Sequence, residues 1–67
     1  MSNIYIGSKI RELRKKKGIT QEQLASVLSV SPQAVNKWES SLTYPDMEMM
    51  PVIAAYFEVS MDILFGY

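Results

Sequence analysis

The 67-residue chain contains no cysteine and no histidine. The first absence excludes disulfide staples and thiolate metal sites, and the second excludes imidazole chemistry. Paired carboxylates in a plausible pocket, a glycine-rich phosphate loop and a cluster of metal ligands are missing too. No catalytic residue, cofactor or metal site is therefore expected, and an enzyme is the least supported class. No apolar run approaches the roughly 18 residues of a membrane span. Met1-Ser2-Asn3-Ile4-Tyr5 has no basic stretch followed by an apolar one, so no signal peptide is expected. A cytoplasmic location is expected, and the lack of cysteine agrees with a reducing compartment. No segment alternates with a period of two, and there is no repeat or low-complexity stretch.

The last absence is the most informative: no Lys or Arg follows residue 37. Lys9, Arg11, Arg14, Lys15, Lys16, Lys17 and Lys37 carry all the positive charge, and Glu39, Asp46, Glu48, Glu58 and Asp62 carry five of the seven acids. With only Glu12 and Glu22 among the cations, residues 1–38 carry +5 and residues 39–67 carry −5. A positive side is the footprint of a nucleic-acid binder, because cations that neutralise phosphates release counterions. The alternative is a solvated helix face.

Length implies one domain spanning 1–67. A chain this short buries only about 60% of its unfolded surface, so its stability must come from efficient packing of short helices. The first helix is expected from about Ile6 to Lys17, with Ile6, Ile10 and Leu13 on one stripe. Gly18 is its left-handed end, and Lys15, Lys16 and Lys17 sit in the last turn, where the helix dipole favours cations. Thr20 and Gln23 form a capping box that opens a second helix to about Leu28, with Leu24, Ala25 and Leu28 inward. Ser31-Pro32 is an N-cap followed by proline at the first helical position, opening a third helix to about Ser40. Asp46 is expected to cap a fourth helix to about Phe57, with Met50, Ile53, Ala54 and Phe57 inward. Pro51, as its fifth residue, would kink or delay it. Ser60 caps a short fifth helix with Ile63 and Leu64 inward.

Only Ser29 and Val30 separate Leu28 from Ser31, and a turn that short forces the two helices to cross steeply. At 100° per residue, Gln33, Asn36, Lys37 and Ser40 share one arc of the third helix, and Val35 and Trp38 lie opposite. The exposed arc offers amides, an ammonium and a hydroxyl, with no acid. Asn and Gln amides suit adenine, and Lys suits guanine O6 and N7. Glu39 points between the two arcs, so an acid there needs a partner, and Arg14 lies at the edge of the buried stripe of the first helix.

Ile10-Arg11-Glu12-Leu13-Arg14, Gly18 to Ala25, Val30 to Glu39, Tyr44-Pro45-Asp46 and Val59 to Leu64 together resemble the phage Cro and repressor-type helix-turn-helix family, also called the XRE family. The resemblance runs from about Ile4 to Gly66. It implies an all-α, compact five-helix repressor-like domain with its helix-turn-helix unit at about 21–40 and its recognition helix at about 32–40. Such a domain binds operator DNA, usually as a dimer. The resemblance gives Gln33, Lys37, Asn36 and Ser31 roles at bases or nearby backbone. It gives Gln21 a phosphate at a helix N-terminus, with Lys17, Ser40 and Thr43 as further phosphate contacts, and it pairs Arg14 with Glu39. A domain of this kind often meets a linker near Ile63–Tyr67.

The chain departs from the family pattern at three places. Ser29 stands where glycine is common in the turn. Ser40-Ser41-Leu42-Thr43 replaces a loop that often carries Asn-Gly and a cation. Pro32 stands where a polar side chain would reach a base, although proline can touch a thymine methyl. Met61, Phe65 and Tyr67 are candidates for an apolar patch that pairs two copies on DNA or meets following domains, and the alternative is that methionines fill gaps in the core. The expected function is sequence-specific binding of double-stranded DNA as all or part of a bacterial or phage transcriptional regulator. A protein-interaction module that kept the fold without the operator is the second reading.

Overall fold

Helix boundaries fall where the chain can satisfy orphan backbone groups. The computed structural model describes residues 5–66; Ile4 and Tyr67, used in the sequence reading, lie outside them. Its elements are α1 (Tyr5–Lys17), α2 (Gln21–Leu28), α3 (Pro32–Glu39), α4 (Met49–Phe57) and α5 (Met61–Phe65), with no strand among the described residues.

Three of the four connections are the same three-residue joint. Gly18, Ser29 and Glu58 end α1, α2 and α4 in the left-handed region, at φ of 76°, 61° and 60°. The next residue is an apolar anchor, Ile19, Val30 or Val59, partly buried against the core. Its N–H returns to the helix just ended, from Ile19 to the Arg14 carbonyl, Val30 to Ala25 and Val59 to Ala54, at 3.3, 3.0 and 3.0 Å. This is the six-to-one bond that satisfies the last carbonyls of a helix. The third residue caps the next helix: the hydroxyl oxygens of Thr20, Ser31 and Ser60 accept the N–H of Gln23, Ala34 and Ile63. Thr20 and Gln23 form the full reciprocal box.

The fourth connection differs, and it corrects the sequence reading. The carboxylate of Asp46 caps nothing. Its backbone carbonyl instead accepts the N–H of Met49 and Met50, at 2.9 and 3.2 Å, and α4 starts at Met49. Pro51 thus becomes the third helical residue, inside the first turn, where its missing N–H has no intrahelical partner to lose. Proline delays the helix rather than kinking it.

The buried core is Ile10, Leu24, Ala25, Leu28, Val35, Trp38, Met50, Ile53, Ala54 and Leu64. Ile6, Leu13 and Phe57 pack against it while partly buried, and the Phe57 ring meets Tyr56 edge-on at 5.1 Å. Ile63, expected inward, is 44% exposed, and Leu64 alone fills the α5 position. Five residues are too few for helical periodicity to choose between neighbours. The methionines divide: Met50 is buried, Met49 and Met61 pack at the core margin, and Met47 points to solvent.

Candidate nucleic-acid interface

The site begins with how closely α1 approaches α3. A Cβ placed on Gly7 would stand 2.2 Å from the Trp38 carbonyl oxygen and 3.2 Å from Ser41 Oγ. Only glycine lets the start of α1 lie on the last turn of α3. Two turns further along α1, Arg14 meets Glu39. Arg14 Nε donates to Glu39 Oε2 at 2.7 Å and its Nη2 donates to Oε1 at 3.1 Å, a bidentate fork. Arg14 Nη1 donates to the Ile19 carbonyl at 2.8 Å, which ties the first joint into the pair.

The side chains of Arg14 and Glu39 are only 11% and 4% exposed. The hydrogen bond to Glu39 raises the Arg14 pKa above its usual value, against the opposing effect of burial. A raised pKa on a cation adds stability below the unfolded value and loses it only above. The guanidinium therefore stays charged, and its contribution constant, across the neutral range.

Gln21, at the first position of α2, connects this pair to the surface. Its Nε2 donates to Glu39 Oε1 at 3.0 Å, and its Oε1 accepts from Asn36 Nδ2 at 3.4 Å. A chain of hydrogen bonds thus runs from a nearly dry ion pair to an exposed amide on α3. Buried polar groups must be satisfied, and no buried side-chain N or O among the described residues lacks a partner.

Gln21, Pro32, Gln33, Asn36, Lys37 and Leu42 line one open groove between α2, α3 and the loop after α3. Among the described residues that line it, Lys37 is the one charged side chain and none carries a carboxylate. Gln33, Asn36 and Lys37 are exposed on α3. Ser31 sits beside them at the N-cap, its oxygen engaged by the Ala34 N–H at 3.1 Å while its own O–H can still donate. Ser40 caps the C-terminus of α3 through its N–H, and the Thr43 N–H reaches back to the Lys37 carbonyl at 3.4 Å. Both side chains are exposed. Lys17 does not join this group. Its ammonium lies 5.0 Å over the Tyr56 ring, a cation–π contact between the end of α1 and α4.

Three participants escaped the sequence reading. Gly7 carries a readable signal, since a glycine inside a helical pattern suggests close packing. The Ile19 carbonyl and the position of Leu42 in the groove carry none, because both depend on tertiary arrangement.

The sequence profile of a family described as "Helix-turn-helix" matches residues 10–64. The chain is 48% identical over 56 residues to an HTH-type transcriptional activator, BcrR, of Enterococcus faecalis, covering 84% of this chain and 28% of that protein. Among solved structures, a transcriptional regulator from Listeria innocua superposes with a TM-score of 0.86 at 34% identity, covering 92% of this chain and 58% of the other. The P22 c2 repressor protein in complex with synthetic operator 9T superposes with a TM-score of 0.83 at 35% identity, covering 90% and 91%.

Proposed function

The chain belongs to the helix-turn-helix family, and from that premise we propose that it binds double-stranded DNA sequence-specifically as the DNA-binding part of a transcriptional regulator. In this reading α3 enters the major groove. Gln33, Lys37 and Asn36 face base edges, and Ser31 contacts a base or the adjacent backbone. An amide has two N–H donors, and Gln21 gives one to Glu39, which leaves the other for a phosphate beside the positive end of α2. The hydroxyls of Ser40 and Thr43 supply weaker phosphate contacts from the loop.

One observation carries the reading. The groove's described lining presents amides and an ammonium with no carboxylate, on a helix anchored by the part-buried Arg14–Glu39 pair. The likeness to a repressor solved with its operator supports it. The chain spans only 28% of the length of the Enterococcus activator, so what a longer protein senses or regulates is no part of the proposal.

The test is selection of duplexes from a random pool, followed by shift assays at low and moderate salt. Recovery of a shared sequence motif, bound more tightly than unrelated DNA at both salt concentrations, is the expected result. A pool with no enrichment would overturn the reading and leave the protein-interaction module, which the exposed Leu42 at the groove favours.

A further inference from the structure

The loop after α3 places an apolar side chain where it offers no cation. Leu42 is 72% exposed yet lines the same groove as Gln33, Asn36 and Lys37. Its position is built by the backbone. Ser41 turns through the left-handed region at φ 62°, and the Leu42 N–H then donates to the Lys37 carbonyl at 2.9 Å. The loop is thereby folded back on the last turn of α3. Pro32, at the first position of that helix, is the other apolar residue of the groove.

A groove with one cation, no carboxylate and two apolar residues suits an anionic polymer that carries an apolar group at its readable edge. In the major groove of DNA that group is the C5 methyl of thymine. We propose that Leu42, with Pro32, selects thymine by contact with its methyl group, beside the hydrogen-bond readout of Gln33, Asn36 and Lys37. The proposal rests on the DNA-binding reading and adds a specificity determinant to it. It also gives Leu42 a role between Ser40 and Thr43, which contact phosphate in that reading.

The experiment titrates the 67-residue chain with its selected duplex and with copies in which one thymine at a time is replaced by uracil. That change removes the methyl and leaves base pairing intact. At one position or more, uracil is expected to weaken binding by roughly fourfold, the effect of removing one methyl from an apolar contact. Leu42→Ser should bring that ratio closer to one at the same position and preserve the base preferences lost in Gln33→Ala or Lys37→Ala. Leu42 is exposed and its backbone bonds do not involve its side chain, so the variant should keep the wild-type circular dichroism spectrum. If a duplex is selected but uracil equals thymine everywhere, or if Leu42→Ser leaves the ratio unchanged, methyl recognition by Leu42 is wrong and DNA binding stands. If no duplex is selected, both fail.

Discussion

Gly7→Ala sets two effects against each other, and their sizes decide the sign. Alanine is a better helix former than glycine by up to about 1 kcal/mol, so propensity alone predicts a more stable protein. The new methyl would stand 2.2 Å from the Trp38 carbonyl oxygen and 3.3 Å from its carbon. The nearer atom is backbone, fixed by the N–H of Ser41 at 3.0 Å, and cannot swing aside. The start of α1 and the end of α3 must separate by about 1 Å to restore ordinary contact, and overpacking of this kind typically costs about 1–3 kcal/mol or more. The same separation loosens the approach that seats Arg14 on Glu39. Net destabilisation of about 2 kcal/mol is expected, and for a domain of this size that lowers Tm by roughly 10 °C. Thermal and urea melts followed by circular dichroism measure it. Gly18→Ala is the control: nothing lies within 4 Å of its added Cβ, but φ is +76°, so it should lose about 1–2 kcal/mol through backbone conformation alone. A Gly7→Ala protein as stable as wild type, or more so, would refute the close approach of α1 to α3.

Arg14→Ala and Glu39→Ala should each cost about 3 kcal/mol, because each strands a nearly buried charge, and the double variant should lose less than their sum by about 1–3 kcal/mol. A double-mutant cycle with no coupling would contradict the pair. Ser29→Gly should raise the urea midpoint, gaining about 0.5–1 kcal/mol, since glycine accepts φ of 61° without strain; a lower midpoint counts against the left-handed joint. Gln33→Ala or Lys37→Ala should weaken binding to the selected duplex by about 1–3 kcal/mol and relax base preference, and equal affinity of wild type and the double variant would remove α3 from the interface. Sedimentation at micromolar concentration should find a monomer without DNA. Exposed Ile63 and Phe65 share their segment with Glu58 and Asp62, so two copies meeting there oppose like charges; a tight dimer would show that the apolar contact outweighs them.

What could be read before folding was the chemistry that is local. Thr20 with Gln23, Ser31 with Pro32, and Ser60 announce helix starts because a cap joins residues three apart. The start of α4 was misread for the same reason. Asp46 has the side chain of a cap, but its carbonyl holds the turn, and side-chain identity does not disclose a backbone bond. The shared arc of Gln33, Asn36 and Lys37 follows from helical geometry. That Gln21 and Leu42 close the same groove does not, because they arrive from other elements. Gln21 could be placed at a helix N-terminus, yet the turn of its amide inward to Glu39 needs the fold.

The repeated joint bears on how quickly the molecule assembles. Three reversals of only three residues join α1 to α2, α2 to α3 and α4 to α5 with little loop to close, and short closures take tens of nanoseconds. Each joint carries its own stop signal, anchor and start signal, so α2 can dock on α3, and α4 on α5, before distant parts of the chain meet. The slower event is the meeting of α1 and α5, which lie at opposite ends of the described chain and pack together in the folded state. Refolding in the microsecond-to-millisecond range follows, as for other helical domains of low contact order. Variants where α5 packs on α1 should then slow refolding, because that contact forms in the slow step.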